Sequence, residues 1–193
     1  MDTLPFFLYV IIMAITPGPN NLMSLAESSH LGLRRSLPFL YGLFVSFFIL
    51  DAVALCLSKL LLDTLPHFEF IFKLIGSAYI IFLSFKLWTA PPSKEAKEIS
   101  QRRLFLSGML LNLSNIKVML YFLMAYVSFL LPVYKDWTPI LFFSIAMCFL
   151  ASLCNIIWAA AGASLRRFLN KYERQTNRIL ALLLFLSAIE IWF

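Results

Sequence analysis

Long apolar runs separated by short polar stretches dominate the chain, and their lengths predict helices that cross a membrane. The longer runs reach the roughly 20 residues that a helix needs to span the hydrocarbon core. Six spans are predicted, at residues 4–26, 37–62, 68–88, 104–131, 137–163 and 179–193. The pattern therefore indicates an all-α integral membrane protein with six transmembrane helices, in which residues 1–193 form a single transmembrane domain.

The first span is interrupted in its middle by a polar, proline-rich segment. The segment consists of Thr16, Pro17, Gly18, Pro19, Asn20 and Asn21. Inside a helix the two prolines cannot donate hydrogen bonds to the carbonyls of Met13 and Ile15. Hydrocarbon tolerates such a defect only where protein or an aqueous cavity covers the bare backbone. A helix broken near the membrane midplane is typical of transporter substrate sites; a kink that only shapes packing is the alternative.

Composition and charge distribution give the topology. The chain is 61% hydrophobic and 13% charged, which is more apolar surface than a soluble domain of 193 residues can bury. Its net charge of +6 lies in short loops, which argues for a topology signal and against a nucleic-acid partner. Twelve of the sixteen basic residues are expected on one side: Arg34, Arg35, Lys86, Lys94, Lys97, Arg102, Arg103, Arg166, Arg167, Lys171, Arg174 and Arg178. Basic loops mark the cytoplasmic side, so both termini are expected outside the cytoplasm, and the first span is expected to be retained rather than cleaved.

The distribution of the spans suggests two halves. Three spans precede a basic cytoplasmic linker at residues 91–103 and three follow it, giving a first repeat at 1–90 and a second at 104–193. Because three is odd, the halves face opposite ways and form an inverted repeat. The break in the first span then predicts a counterpart in the fourth. A polar cluster interrupts the fourth span: Asn112, Leu113, Ser114, Asn115, Ile116 and Lys117.

Residues 16–21, 32–35 and 112–117 resemble the LysE/RhtB family of bacterial amino-acid exporters. Residues 154–174, which include Asn155, Trp158 and Gly162, are most similar to its cysteine/O-acetylserine exporter branch. The resemblance implies a transporter of the bacterial inner membrane, not an enzyme. It would export cysteine, O-acetylserine or similar small amino acids from the cytoplasm, driven by the proton gradient. Many members have Asn-Pro-Lys in the fourth span where this chain has Ile116, so the second break is expected to be less sharp than the first.

Two ionisable side chains are predicted deep in the membrane. An ammonium such as that of Lys117 costs at least about 2.5 kcal/mol at mid-depth on insertion scales, so it is expected to have a partner. That partner is either the carboxylate of the substrate or Asp51, which lies at a similar predicted depth in the second span. For Asp51, structural pairing with Lys117 and proton coupling are both open.

Four further polar side chains complete the predicted substrate site. Asn112 and Asn115 share a helical face, Tyr121 follows Lys117 by one turn, and Asn155 lies in the fifth span. They either line a cavity or hydrogen-bond neighbouring helices. At the first break, the helix N-terminus near Asn20 would attract a carboxylate, and the freed carbonyls would accept hydrogen bonds from an ammonium.

Other functional classes fit the sequence less well. A passive channel or facilitator for small amino acids stays open, because sequence does not reveal gating. A thiol-redox carrier of related fold would need cysteines at the two breaks, whereas Cys56, Cys148 and Cys154 lie elsewhere and lack metal-ligand spacing. No cofactor or metal is therefore expected. The expected partners are a small amino acid, protons and the lipid bilayer, with a homo-oligomer left open.

Overall fold

The computed structural model describes residues 3–60, 65–90, 100–190 and 192. All regular elements in this part of the chain are helices, which confirms the all-α prediction. The α-helices are α1 (Thr3–Ile15), α2 (Pro19–Leu31), α3 (Leu33–Leu60), α4 (Leu65–Trp88), α5 (Gln101–Leu113), α6 (Ile116–Met124), α7 (Trp137–Ser164), α8 (Arg166–Lys171) and α9 (Glu173–Glu190). A π-helix (Ala125–Leu130) continues directly from α6.

Two helices and two bent helix pairs are long and apolar enough to cross a membrane. The single helices span Leu33–Ser58 in α3 and Trp137–Ser164 in α7. The bent pairs are α1 with α2, at an angle of 43°, and α5 with α6 and the π-helix, at 55°. Helices α4 and α9 occupy the third and sixth predicted spans, and α4 contains the shorter apolar stretch Gly76–Trp88. The count of six spans therefore stays a prediction. Residues 91–99 of the predicted linker lie outside the described residues.

Glycines at the helix crossings allow the backbones to approach closely. Helix α3 packs along α5, and α2 packs along α7. A Cβ atom added at Gly108 in α5 would lie 2.2 Å from the carbonyl oxygen of Phe39 in α3. A Cβ atom added at Gly162 in α7 would lie 2.2 Å from the carbonyl oxygen of Leu25 in α2. Small residues at crossings are the usual way in which membrane helices gain contact area, and here they bring each bent pair against an unbroken helix.

The distribution of side chains is that of a protein surrounded by lipid. Helix α7 exposes Phe142 (68%) and Phe149 (56%), whereas it buries Ser144 and Asn155 on its other face. The polar groups therefore lie inside the bundle, where they can be satisfied by one another, and the apolar groups point outward. This arrangement directs the polar side chains of both broken spans toward a common interior.

Candidate substrate site at the two helix breaks

The first break separates the end of α1 at Ile15 from the start of α2 at Pro19. Gly18 is the N-cap of α2, with an extended backbone (φ −150°, ψ 176°) and no side-chain cap for the first-turn N–H groups. Pro19 is the first helical residue, where its missing N–H would have had no partner in any case. The break therefore presents uncapped N–H groups of α2 to the interior, together with the partial positive charge of a helix N-terminus.

The carbonyls that the prolines leave free are partly occupied by side chains. The Ile15 carbonyl accepts a hydrogen bond from the indole Nε1 of Trp158, at 3.2 Å. The carbonyls of Ala14 and Thr16 accept from Nδ2 of Asn21, at 3.0 and 2.9 Å. The Ile15 carbonyl is therefore already occupied at one lone pair, and its contact with a substrate ammonium stays a prediction.

The carbonyl of Met13 differs from those of its neighbours. Pro17 cannot donate to it, and it has no hydrogen-bond donor among the described residues. Met13 also lines the cavity between the two breaks. Of the two carbonyls that the sequence singled out, this is the one that stays fully available as an acceptor.

The second break separates α5, which ends at Leu113, from α6, which begins at Ile116. Asn115 is the N-cap of α6, and its Oδ1 accepts a hydrogen bond from the backbone N–H of Lys117 at 3.1 Å. Asparagine is among the best N-cap residues because its side chain satisfies one of the free N–H groups at a helix start. The bend of 55° is larger than the 43° at the first break. The expectation that the fourth span would be less sharply broken without a proline is therefore wrong, since an asparagine cap starts a new helix here.

Three asparagine side chains connect the two breaks. Asn20 donates from Nδ2 to Oδ1 of Asn112 at 2.7 Å, and Asn115 donates from Nδ2 to Oδ1 of Asn20 at 2.9 Å. Asn112 in turn donates from Nδ2 to Oγ of Ser46 at 2.8 Å and to the carbonyl of Leu43 at 3.2 Å, both in α3. These bonds hold the two bent pairs together through side chains that are at most 5% exposed.

Lys117 lies directly over the first break. A Cβ atom placed on Gly18 would be 3.4 Å from Cδ and 3.7 Å from Nζ of Lys117, so the glycine leaves room for the lysine stem. No carboxylate of the described residues lies within 4 Å of Nζ. The ion pair with Asp51 is not formed, because Asp51 instead accepts hydrogen bonds from Tyr126 and Ser144.

The two ionisable groups have distinct hydrogen-bond partners. Tyr126, which holds Asp51, follows Lys117 by nine residues along the same half-span. Lys117 instead lies beside Gly18 at the first break. The similar depth of Asp51 and Lys117 in the membrane stays a prediction.

A small cavity lies between the two breaks. Its volume of about 40 Å³ accommodates two or three water molecules, since one water needs roughly 10–15 Å³. Eight of the eleven predicted substrate-site residues line it: Thr16, Gly18, Asn20, Asn21, Asn115, Lys117, Tyr121 and Asn155. The other three, Pro17, Pro19 and Asn112, do not line it. Phe47, Val118 and Ala151 also face the cavity; sequence gave no signal for them, because apolar side chains in apolar helices are unremarkable.

The remaining polar groups of the cavity are held by neighbouring helices. Tyr121 donates to the carbonyl of Met147 at 3.4 Å, and its ring stacks on Tyr9. Asn155 donates from Nδ2 to the carbonyl of Ala151 at 2.8 Å and accepts at Oδ1 from Ser24 at 3.4 Å. Sequence analysis missed Ser24, although a buried serine one turn after Asn20 continues the polar stripe of α2.

The arrangement favours an anion at one end and a hydrogen-bond donor at the other. An ammonium and the N-termini of α2 and α6 provide positive charge around Gly18, and no described acidic side chain neutralises it. The Met13 carbonyl provides an acceptor nearby. A zwitterion with a carboxylate and an ammonium matches both features.

Comparison with known proteins identifies one matching family model and several relatives of the same name. The family model of LysE type translocators matches residues 11–192 of the chain. A cysteine/O-acetylserine efflux protein of Klebsiella pneumoniae is 33% identical over 186 residues, which cover 96% of this chain and 94% of that protein. Proteins of the same name from Escherichia coli K12 and Shigella flexneri are each 32% identical over 191 residues, covering 97% of this chain and 96% of each relative. No solved structure matches the chain.

Proposed function

Since the chain belongs to the LysE type translocator family, we propose that it exports small amino acids or their derivatives from the cytoplasm. Cysteine and O-acetylserine are the first candidates, because the relatives described above are named as efflux proteins for these two compounds. The protein is a transporter and not an enzyme. Its family and its apolar helices make it a multi-pass protein of the bacterial inner membrane.

The environment of Lys117 is the observation that carries this proposal. An ammonium near the membrane midplane costs about 2.5–3.5 kcal/mol on insertion scales unless it has a partner. In the described part of the protein that partner is not a carboxylate. We assign the carboxylate of the substrate to this position, beside Gly18 and the N-termini of α2 and α6. Every free amino acid carries such a group, so Lys117 would recognise the class rather than one member.

The other cavity residues would orient the rest of the substrate. The Met13 carbonyl is placed to accept from the α-ammonium, and the amides of Asn21 and Asn155 border the same space. Phe47, Ala151 and Tyr121 form walls that suit a small side chain and exclude a large one. Thr16, Pro17, Pro19, Asn20, Asn112 and Asn115 act indirectly in this proposal, by shaping the two breaks.

A cavity of about 40 Å³ is smaller than an amino acid, so the protein must open to load and release its substrate. A cavity of this size between two hinged spans fits a carrier that alternates between two open states. The two breaks provide natural hinges, because the helices on each side are joined by two or three non-helical residues.

We also propose the predicted topology: six spans, an inverted repeat of residues 1–90 and 104–193 around a cytoplasmic linker at 91–103, and both termini outside the cytoplasm. The packing supports this arrangement, since the first broken span contacts α7 of the second half and the second broken span contacts α3 of the first half. An exchange of partners of this kind is expected of two intertwined repeats.

Transport in inside-out membrane vesicles tests the function. We expect vesicles that contain the protein to accumulate labelled cysteine or O-acetylserine when respiration acidifies their interior, with a reductant present throughout. Nigericin together with valinomycin and potassium, which collapse both the pH gradient and the membrane potential, should abolish accumulation. Uptake that equilibrates but never exceeds the outside concentration would indicate a facilitator. The absence of protein-dependent uptake of any small amino acid would refute the export proposal.

Lys117→Met tests the assigned binding residue. It removes the charge and keeps much of the stem, so we expect the apparent KM for substrate to rise by about one to two orders of magnitude, as for loss of a charge-assisted hydrogen bond. Lys135→Met, at an exposed loop position, is the matched control and should leave transport unchanged. Equal KM values for wild type and Lys117→Met would refute the assignment.

A further inference from the structure

A second polar cluster, separate from the substrate cavity, surrounds Asp51. This carboxyl group in α3 is 6% exposed, and it lies between the π-helix and α7. The Tyr126 hydroxyl lies 2.5 Å from its Oδ1, and the Ser144 hydroxyl is within hydrogen-bond distance of its Oδ2. The hydroxyls of Tyr126 and Ser144 are themselves 3.0 Å apart. The three side chains therefore form a closed ring with three hydrogen-bonding contacts.

The number of protons decides which form of Asp51 fits this ring. Each hydroxyl has one proton to donate. If Asp51 is ionised, both protons point at the carboxylate, and the contact between Tyr126 and Ser144 places two oxygen atoms 3.0 Å apart with no proton between them. If Asp51 is protonated, its own O–H donates to Ser144, Ser144 donates to Tyr126, and Tyr126 donates to the other carboxyl oxygen. Only the protonated form gives every contact in the ring a proton.

The surroundings of the ring also favour the neutral acid. Among the described residues no lysine, arginine or histidine forms an ion pair with Asp51. The titratable groups close enough to interact electrostatically are Tyr121 from α6, Tyr126 from the π-helix and Cys148 from α7. None of them supplies positive charge. An isolated carboxylate inside a membrane protein is costly unless a charge or several donors compensate it.

We infer that Asp51, Tyr126 and Ser144 form a proton-binding site, and that the conformation described here is its proton-loaded state. The inference rests on the proposed function, in which proton movement drives export. The step forms and breaks one O–H bond: the Asp51 carboxylate takes up a proton from water on one side of the membrane and releases it to water on the other. Tyr126 and Ser144 are positioning residues that hold the acid.

The location of the ring explains how proton binding could control the substrate cavity. The π-helix that carries Tyr126 continues α6, whose first turn carries Lys117. Tyr121 lies between them, lines the cavity, and donates to the Met147 carbonyl in α7, close in sequence to Ser144. Loss of the proton removes one bond between the π-helix and α7. The half-span that binds the substrate is then less firmly attached to α7.

Asp51→Asn is the main test, because asparagine keeps the ring while removing its proton. Its Nδ2 can donate to Ser144 and its Oδ1 can accept from Tyr126, so the variant should fold. With the membrane potential held at zero by valinomycin and potassium, one proton exchanged across an imposed gradient of about one pH unit supports about tenfold accumulation. We expect wild type to approach this ratio and Asp51→Asn to fall to about onefold. Exchange of labelled for unlabelled substrate, which needs no net proton movement, should stay within about twofold of wild type.

Asp136→Asn and Ser152→Ala are the matched controls. Asp136 is exposed at the start of α7, and Ser152 donates only to the Cys148 carbonyl of its own helix. Both should accumulate substrate as wild type does. Ser144→Ala, which removes two of the three contacts of the ring, should shift the pH at which accumulation is half-maximal, whereas Ser152→Ala should not.

Infrared spectroscopy gives a readout that does not depend on transport. The infrared difference spectrum between purified wild type and Asp51→Asn at neutral pH should contain the C=O stretch of one protonated carboxylic acid, whereas the band of any other carboxyl group, such as that of Glu27 in α2, cancels. If Asp51→Asn does not fold, a shift of this band in Ser144→Ala assigns it to the ring instead.

Three outcomes separate the inference from the function. Absence of the band from the difference spectrum, or accumulation by Asp51→Asn equal to wild type, would overturn the proton site while leaving export intact. Absence of both exchange and accumulation in wild type would instead refute the proposed function. The carboxylic acid band would then still decide whether the ring holds a proton.

Discussion

The asparagine contacts between the two helix breaks lead to a quantitative prediction. Asn20 makes two inter-helix side-chain bonds, to Asn112 at 2.7 Å and from Asn115 at 2.9 Å. Measured side-chain hydrogen bonds in membrane proteins contribute about 0.6 kcal/mol on average and about 1.7 kcal/mol at most. Asn20→Ala removes both and leaves two buried polar groups without a partner. We therefore expect it to lower the free energy of unfolding by about 1–3 kcal/mol.

A double-mutant cycle isolates the single bond between Asn20 and Asn112. The free energies of unfolding of wild type, Asn20→Ala, Asn112→Ala and the double variant would be measured in bicelles by steric trapping. We expect a coupling energy of about 0.6–1.7 kcal/mol, the range for one such bond. Asn20→Ala combined with Asn177→Ala is the control pair, since Asn177 instead contacts His30 near the other end of α2. That pair should be additive within about 0.5 kcal/mol.

The coupling energy measured in this cycle also decides whether the asparagine contact joins the two breaks. A coupling energy for Asn20 and Asn112 below about 0.3 kcal/mol, within the scatter of independent sites, would mean that the amide contact does not hold the breaks together. The two bent pairs would then be joined by packing alone. A large coupling in the control pair would instead show that the variants perturb the whole bundle.

Three further predictions follow from the packing and the topology. Gly162→Ala should destabilise the protein by about 1–3 kcal/mol in thermal unfolding, because the new Cβ would approach a carbonyl oxygen to 2.2 Å; an unchanged melting temperature would contradict this. Gly18→Ala meets only the side chain of Lys117, at 3.4 Å or more, so it should fold normally yet weaken substrate binding, and unaltered transport would argue against a substrate carboxylate there. In a background without the native cysteines, an impermeant maleimide added to intact spheroplasts should label Lys135→Cys and not Arg35→Cys; the reverse pattern would invert the topology.

The first break could be predicted from sequence because its cause is covalent. Pro17 and Pro19 remove two N–H donors wherever the segment lies in the fold, and local chemistry alone then ends one helix and starts another. The sharpness of the second break was not predicted, because the isoleucine at position 116, in place of a proline, suggested a weaker bend. The signal was the preceding residue: Asn115 caps α6 through its side chain and so replaces the effect of a proline at the first helical position.

The partners of the buried polar groups could not be predicted in the same way. Sequence placed Asp51 and Lys117 at similar depth by counting residues from predicted span ends. A count of this kind does not show which side chains meet, such as the contact between Asp51 and Tyr126 of the π-helix. It also gives no information on which helix faces which, and the contact of Asp51 with Ser144 joins residues 93 positions apart. Tertiary hydrogen bonds between helices depend on rotation about each axis, which hydropathy does not fix.

Because Asp51 and Lys117 do not pair with each other, a ligand can bind to either group without first breaking a buried ion pair. Two opposite charges paired inside a membrane satisfy each other, and breaking such a pair leaves an uncompensated buried charge. Any ligand that had to replace one partner would meet that penalty on every cycle. Here Lys117 borders a cavity and Asp51 belongs to a ring that a proton completes. Under the two proposals above, each group is neutralised by a mobile species, a carboxylate at one site and a proton at the other, so that export would require both species to move.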